Sequence, residues 1–453
     1  MDCELSQGGL VLCYYGDDFT GSTDALEALG LNGFSPVLFL NPPDDAQVAR
    51  FPGCRAVGVA GTSRSRSPEW MSRELTPAFM RLKQLGAPIC HYKVCSTFDS
   101  SPEIGSIGRA LEIGQEVFAA PYVPVVVGVP AMGRYMLFGH LFANFDGRIY
   151  RIDRHPTMRS HPVTPMTESD LALHLSRQTQ KKIRLMDILS LQSPDLDERF
   201  TALQREGPEV ILFDVLDESS LARVGRILWL HRPPGTSFIV GSSGVEYALM
   251  AHWRATGQLP PPPAFEQPRP VDRLVVVSGS CSPNTEKQIR WSLEHGFVGI
   301  PIDVRALVSA ETRISVRDQL LKQALRELSE GHSIVLYTAL ASKDSARARE
   351  IAAAESSFGL TLGEQLGILL RELLLRSGVR RVVIAGGDTS SYIGRRLSIE
   401  ALTMASPLVR GAPLCRAHSD EPTLDGLELI FKGGQVGAED CFGRVCEGQV
   451  YSA

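Results

Sequence analysis

Long apolar runs, an export leader and an excess of basic residues are all missing from this 453-residue sequence. No apolar stretch approaches the roughly 20 residues that a membrane-spanning helix needs, so we expect no membrane partner. The opening residues MDCELSQGG lack the basic segment and apolar core of a secretory signal, which argues against export. With 46 Lys and Arg against 51 Asp and Glu, the net charge of −5 gives no reason to expect nucleic acid as a partner.

Paired cysteine spacing is also absent. The nine cysteines are scattered, and such an odd set fits a reducing cytoplasm better than a disulfide framework, so we predict a cytoplasmic protein. His155 and His161 lie in the proline-broken stretch HPTMRSHPVTPM without a Cys or further His nearby, so we expect a loop with polar contacts rather than a zinc site. The Walker A pattern, the G-x-G-x-x-G pattern and a serine-nucleophile motif do not occur.

One segment of the chain is rich in proline. TGQLPPPPAFEQPRPVD, residues 256–272, contains six prolines and no apolar periodicity, so it cannot be a helix interior or a central strand. We interpret it as a linker between an N-terminal domain (1–255) and a C-terminal domain (273–453), since the chain is too long for one ordinary core. The alternative is a long surface loop within one domain.

Apolar runs rich in Val and Ile recur on both sides of this segment. Those before it are LVLCYY, PVLFL, AVGVAG, ICHYKV, VPVVVGV, VILFDV and FIVGSSG. They do not alternate with polar residues, which is typical of strands buried on both faces of a parallel sheet. Amphipathic helical patterns lie between several of them, and the alternation restarts after residue 272. The sequence therefore predicts two α/β domains with mainly parallel sheets.

Polar side chains follow three of the N-terminal strands. They are Asp17 and Asp18 after LVLCYY, Ser63 and Arg64 after AVGVA, and Lys93 and Ser96 at the end of ICHYKV. Ligands of open α/β sheets bind at the carboxyl ends of strands, and acids, hydroxyls and cations together suit a small polyhydroxy acid. Each residue has a plainer interpretation: Asp18 or Thr20 could cap a helix that begins near Ser22, and Lys93 could be a solvated edge residue.

The C-terminal half contains three glycine turns, SGSCSPNT, AGGDTSS and FKGGQVG, each after an apolar run. Glycine lets the backbone approach a ligand closely, and a helix N-terminus attracts anions. These turns indicate a nucleotide phosphate site, although glycine in a tight connection can serve geometry alone.

The motifs GDDFTGSTDA, YKVCST, HPVTPMTESDLALHL, GSCSPNTEKQI and IAGGDTS, in this order, resemble the four-carbon acid sugar kinase family over nearly the whole chain. The resemblance implies an N-terminal sugar-acid domain, a C-terminal ATP domain, a ligand cleft between them, and Mg²⁺-assisted transfer of the γ-phosphoryl group to a hydroxyl of the sugar acid. It implies Asp17 and Asp18 as catalytic residues. The further residues that it implies are Ser63, Arg64, Lys93 and Ser96 for the substrate, and Ser280, Gly386, Gly387, Asp388, Thr389, Gly433 and Gly434 for the nucleotide.

The chain departs from the family pattern in the loop that follows Lys93. Many members have approximately K-x-D-S-T-x-R-G-N, whereas this chain has Cys95 for the aspartate, Asp99 for the arginine and Ser100 for the glycine. Asp388 also stands where many members have Glu. The resemblance therefore predicts as substrate either a four-carbon acid such as threonate, erythronate or 3-oxo-tetronate, or a branched oxo acid such as 3-oxo-isoapionate, and the change in this loop favours a variant such as the branched acid. The alternative function is a non-catalytic sugar-acid-binding or regulatory protein, and the sequence leaves open whether the chain forms a homo-oligomer.

Overall fold

The computed structural model of the chain describes residues 8–161, 163–259, 261–340 and 358–450. They form two compact units, and the prediction of two α/β domains is confirmed. The first unit contains residues up to Asp17, Ala28–Pro36 and most of 42–263. The second contains Asp18–Glu27, Val37–Asn41 and the residues from 264 onward.

The strands and helices are numbered here along the chain. The strands are β1 (Leu12–Gly16), β2 (Pro36–Phe39), β3 (Ala56–Ala60), β4 (Ile89–Lys93), β5 (Val123–Val126), β6 (Arg134–Leu137), β7 (His140–Phe145), β8 (Arg148–Arg151), β9 (Ile183–Met186), β10 (Val210–Phe213), β11 (Ser237–Gly241), β12 (Val275–Ser278), β13 (Val298–Pro301), β14 (Ile334–Tyr337), β15 (Arg381–Ala385), β16 (Ala401–Val409), β17 (Ala412–His418) and β18 (Glu428–Lys432). The helices are α1 (Phe19–Leu31), α2 (Asp45–Ala49), α3 (Pro68–Gln84), α4 (Ile107–Phe118), α5 (Leu171–Ser176), α6 (Ile188–Gln192), α7 (Leu196–Arg205), α8 (Glu218–Leu230), α9 (Gly244–Ala255), α10 (Pro283–Glu294), α11 (Val304–Val308), α12 (Arg313–Ser329), α13 (Phe358–Ser377), α14 (Gly387–Arg395) and α15 (Cys441–Glu447). Among these helices, none combines the length and the apolar character that crossing a bilayer requires.

The sheet of the first unit is parallel, with the strand order β3-β1-β4-β11-β5-β10-β9. Every residue of β1, β3, β4, β5, β10 and β11 is buried, as the apolar runs predict. The last residues of β1, β3 and β4 are in register, since Gly16 lies opposite Ala60 on one side and Lys93 on the other. Side chains that follow these three strands therefore lie at one edge of the sheet.

A small antiparallel sheet, β6-β7-β8, interrupts the alternation of the first unit and was not predicted. Asp214, which follows β10, anchors it because its buried carboxylate accepts hydrogen bonds from the N–H groups of Phe138 (2.6 Å) and Gly139 (3.0 Å). Burial raises the pKa of Asp214 to about 6 against the opposing effect of these hydrogen bonds.

The second unit combines parallel and antiparallel strands. Its parallel part has the order β13-β14-β12-β15-β18, and β17, β16 and β2 continue it with antiparallel pairing. The run PVLFL is the strand β2, as predicted, and it pairs antiparallel with β16.

The described residues between α9 and β12 form no helix or strand, and the two units divide between Pro263 and Ala264. The linker at 256–272, and the domain boundaries drawn from it, remain a prediction.

Candidate active site

Asp17 and Arg64 form an ion pair at the carboxyl edge of the first unit's sheet. The Arg64 guanidinium donates to both carboxylate oxygens of Asp17, from Nε at 3.0 Å and from Nη2 at 2.8 Å. Backbone bonds tie the same residues to the strand ends, since Asp17 N donates to Lys93 O (2.8 Å) and Arg64 N donates to Asp17 O (3.1 Å). Bidentate pairs of this kind are among the stronger and more directional hydrogen-bonded contacts in proteins.

Asp18 is the residue before α1, and its carboxylate accepts from Gly21 N (2.7 Å) and from Thr20 Oγ1 (2.7 Å). This is the geometry of a helix N-cap, so the capping role that the sequence allowed for Asp18 is present. The helix begins at Phe19, three residues earlier than predicted. Phe19 is fully buried, packs on Phe431 with ring centroids 5.5 Å apart, and donates its N–H to Ser391 Oγ at 3.2 Å.

Three further predicted substrate residues lie near the ends of β3 and β4. Lys93 is 1% exposed, which excludes the interpretation as a solvated edge residue, and its ammonium donates to Val94 O at 3.1 Å. Ser63 Oγ lies 2.8 Å from the hydroxyl of Tyr92, whose pKa is raised well above its usual range by burial. Ser96 is half-buried in the loop after β4.

The loop after β4 also contains a buried carboxylate that was not among the predicted site residues. Asp99 accepts from the hydroxyls of Thr97 and of Thr164, the latter at 3.2 Å. Burial alone would raise the pKa of Asp99, but the charges of Arg64 and His161 and the bond from Thr97 outweigh it, so the pKa lies below its usual range. Asp99 is therefore an ionised acid beside the Arg64 pair.

The two histidines of the proline-broken stretch make local polar contacts, as predicted for a loop. His155 Nδ1 accepts from the N–H groups of Thr157 (3.2 Å) and Met158 (3.3 Å). His161 Nδ1 accepts from Thr164 N at 3.1 Å. Thr164 thus joins this loop to Asp99 in a contact between residues 65 positions apart. The polar character of the stretch was the one feature of the sequence that could have indicated it.

The three glycine turns of the second unit converge. They follow β12, β15 and β18, which are neighbours in the sheet and end in register at Ser278, Ala385 and Lys432. Gly279 lies so close to Thr389 that a Cβ atom would come within 2.5 Å of its Cγ2. Gly434 also lies close to the first turn, where a Cβ would be 2.9 Å from Ser282 Cβ and 3.1 Å from Ser280 Oγ.

The predicted nucleotide residues are thus brought together at one edge of the sheet. Gly386 precedes α14 with φ +137°, a conformation that favours glycine, and Gly387 begins the helix. Ser280 is buried, and its Oγ accepts from Ser282 N at 3.2 Å. The side chain of Asp388 lies outside what the structure describes.

Two family models match successive parts of the chain. A family model described as "Sugar-binding N-terminal domain" matches residues 12–249, and one described as "Nucleotide-binding C-terminal domain" matches residues 275–442. The chain is 47% identical to a 3-oxo-isoapionate kinase of Paraburkholderia graminis, over 98% of this chain and 96% of that protein. It is 30% identical to a 3-oxo-tetronate kinase of Pectobacterium atrosepticum, over 94% of this chain and 96% of that protein.

Solved structures resemble the chain over the same length. A crystal structure from Salmonella typhimurium LT2, provisionally described as a tRNA synthase, gives a TM-score of 0.75 at 26% identity and covers 96% of this chain and 98% of that one. A Haemophilus influenzae protein of the same fold gives 0.67 at 23% identity, with the same coverage.

A sugar-binding domain followed by a nucleotide-binding domain, matched by kinases along almost the whole chain, defines the class as sugar-acid phosphotransferases. The chain belongs to the four-carbon acid sugar kinase family, and it is a kinase that takes a sugar acid and ATP as substrates.

Proposed function

We propose that the chain phosphorylates a hydroxyl of 3-oxo-isoapionate or of a closely related branched oxo acid. The loop after β4 carries this proposal, because Cys95 and Asp99 replace an acid and a base of the family pattern. The state of Asp99 supports it, because this carboxylate is buried and the charge of Arg64 helps to hold its pKa below the usual range. The greater identity to the 3-oxo-isoapionate kinase, 47% against 30% for a 3-oxo-tetronate kinase, points in the same direction.

In this proposal Asp18 is the general base and Asp17 is an orienting residue. Both oxygens of Asp17 are held by Arg64, so its charge is compensated and its position is fixed. The carboxylate of Asp18 accepts from the hydroxyl of Thr20 and from the N–H of Gly21, which hold it at the beginning of α1, and a carboxylate is a group that can serve as a general base. Proton removal by such a group, together with correct positioning, is what phosphoryl transfer to an alcohol requires.

The remaining residues of the first unit would bind the substrate. The Lys93 ammonium, with Arg64, would hold the carboxylate of the sugar acid, and Ser63 and Ser96 would hydrogen-bond its oxygens. The ionised Asp99 would accept a hydrogen bond from a hydroxyl of the branched part of the substrate. Its negative charge attracts hydrogen-bond donors and repels a second carboxylate.

The glycine turns would hold the phosphates of ATP through backbone N–H groups and the hydroxyls of Ser280 and Thr389. Mg²⁺ prefers oxygen ligands, so it would be held mainly by the phosphate oxygens of ATP. The hydroxyl oxygens near the turns are further ligands of the kind that Mg²⁺ accepts. Among the described residues, the one cluster with three metal-ligand side chains is Glu327, Glu330 and His332 at the end of α12, in another part of the second unit. When bound, the ion neutralises phosphate charge during transfer. We place the reaction in the cytoplasm, where ATP is supplied.

ADP release from MgATP, measured across a panel of sugar acids, tests this function. The panel should contain 3-oxo-isoapionate, 3-oxo-tetronate, threonate and erythronate. We expect the highest kcat/KM with the branched oxo acid. A higher value with a straight-chain acid would overturn the substrate, and no ADP release with any acid, in folded protein that binds both ligands, would favour the non-catalytic alternative.

A further inference from the structure

We infer that α10 and Lys432 hold the third glycine turn, residues 433–438, in a shape that turns its N–H groups outward as a phosphate cradle. Lys432 and Gln288 are then positioning residues rather than phosphate ligands. The identity of the phosphate as that of ATP rests on the proposed function. The shape of the turn does not.

The carbonyl groups of the turn are bound from one side by side chains of α10. Gln288 Nε2 lies within hydrogen-bond distance of the carbonyl oxygens of Val436 (3.0 Å), Gly437 (2.9 Å) and Ala438 (2.9 Å). Asn284 Nδ2 donates to Gly437 O at 3.0 Å. Gln288 is fully buried, so these bonds form away from solvent, where an unmade bond to a carbonyl is costly.

The N-terminal end of α10 binds the beginning of the turn in the same way. Ser282, the N-cap of α10, donates its hydroxyl to Gly434 O, and Thr285 Oγ1 donates to the same oxygen at 3.2 Å. The turn is thus fastened at both ends by one rigid helix.

Lys432 completes this network from the strand side. Its Nζ donates to Gly433 O (3.0 Å), to Val436 O (3.0 Å) and to Thr285 Oγ1 (3.3 Å). An ammonium has three N–H donors, and these three acceptors use all of them. The side chain is also 0% exposed. A lysine in front of two glycines would be expected to reach a phosphate, but this one is committed to the backbone of the turn.

The direction of the carbonyls fixes the direction of the N–H groups. In a planar trans peptide the C=O and the N–H point to opposite sides. The peptides whose carbonyls face α10 and Lys432 therefore direct the N–H groups of Gly434, Gln435 and Gly437 to the other side of the turn. Gln435 is exposed, so this part of the turn is open to solvent. Successive N–H groups with a common direction form an anion-binding nest.

Gln288→Ala in the full-length protein tests the positioning role, with Ser292→Ala as the matched control. Ser292 is equally buried one turn further along α10, but its hydroxyl donates only to Gln288 O (2.8 Å) within the helix. We expect Gln288→Ala to weaken ADP binding by about tenfold. Without the Gln288 side chain the turn is less ordered in the free protein, so binding must order it at a cost in conformational entropy. The KM for ATP should rise in parallel, while the KM for the sugar acid and the kcat at saturating ATP change little. Ser292→Ala should match the wild type.

Hydrogen exchange of the ligand-free protein gives a second readout that does not depend on the reaction. Faster exchange of the amides of residues 433–438 in Gln288→Ala and in Lys432→Met, but not in Ser292→Ala, is the expected result. Unchanged exchange and unchanged ADP affinity in both variants would overturn the inference and leave the kinase function intact. If the wild type binds no ADP but the exchange differs as expected, the proposed function fails and the holding of the turn stands.

Discussion

The predicted substrate residues of the first unit and the predicted nucleotide residues of the second unit differ in the kind of group that each region presents. In the first unit, charged side chains meet: Asp17 pairs with Arg64, and Asp99 lies beside the same guanidinium. In the second unit, three glycine turns meet, and side chains such as Gln288 and Lys432 bind the backbone carbonyls of the third turn. Where side chains contact a ligand, one substitution can change which ligand binds. Where backbone N–H groups contact a phosphate, a substitution leaves those donors in place. Under the proposed function, variation at Cys95 and Asp99 would therefore alter the sugar acid without altering the nucleotide.

The largest expected effect is that of Asp18→Asn on turnover. Asparagine is nearly as good an N-cap as aspartate and keeps the shape of the side chain, but it cannot act as a base. General-base catalysis typically contributes about 10²–10⁴-fold, so kcat should fall by that range while the KM for the sugar acid stays close to that of the wild type.

Asp17→Asn is the companion variant for this prediction. It removes the carboxylate charge that pairs with Arg64 at 2.8 Å, so we expect it to act mainly on the KM for the sugar acid. Steady-state kinetics at saturating MgATP separate the two effects. A near-normal kcat for Asp18→Asn, with a large loss for Asp17→Asn, would reverse the assignment of the base.

The two units also contain buried acids with opposite pKa shifts, which predicts a pH effect on stability. Asp99 in the first unit has a lowered pKa, while burial raises the pKa of Glu27 in the second unit to about 8, against the hydrogen bond from Gly411 N and the charge of Arg410. Between pH 4.5, the usual pKa, and pH 8, Glu27 ionises in the unfolded chain while the folded protein keeps the proton. Its contribution to stability is thus full at low pH and is lost as the pH rises to 8.

Glu27→Gln should remove this dependence, because an amide oxygen can still accept from Gly411 N and carries no charge. One pKa unit corresponds to about 1.4 kcal/mol, so between pH 6 and pH 8 the variant should gain about 2–3 kcal/mol relative to the wild type. Unfolding temperatures of both proteins at the two pH values measure the difference, in which the other titrating groups cancel. Parallel changes in the two proteins would contradict the raised pKa.

The sequence predicted the elements that depend on local signals. The apolar runs are strands, and the glycine turns follow them. Contacts between distant residues were not predictable in this way. The pairing of β2 with β16 joins Val37 to Thr403, and Asp17 meets Arg64 across 47 positions. The role of Lys432 depends on three acceptors that only the folded turn brings together.

Lys93→Met should sharpen the contrast between the two halves. Methionine fills a similar volume in the buried position but removes the charge that would bind the carboxylate of the sugar acid. A charge-assisted hydrogen bond contributes roughly 1.5–3 kcal/mol, so the KM for the sugar acid should rise by about 10–100-fold. The KM for ATP should not change, and a joint rise of both constants would indicate a general disturbance of the fold.

The smallest expected effect is that of an added methyl group in the third glycine turn, and it depends strictly on position. Gly434→Ala places a Cβ atom 2.9 Å from Ser282 Cβ and 3.1 Å from Ser280 Oγ, so the turn must move away from the first one. Overpacking of this kind typically costs about 1–3 kcal/mol, and we expect the KM for ATP to rise by roughly 5–100-fold. Gly433→Ala is the matched control, because its Cβ would meet only Val436 Cγ2 at an ordinary 3.6 Å. The KM for the sugar acid should be unchanged in both variants. Equal effects of the two substitutions on the KM for ATP would contradict the close approach of the first and third glycine turns, and with it the binding of ATP phosphates by these turns.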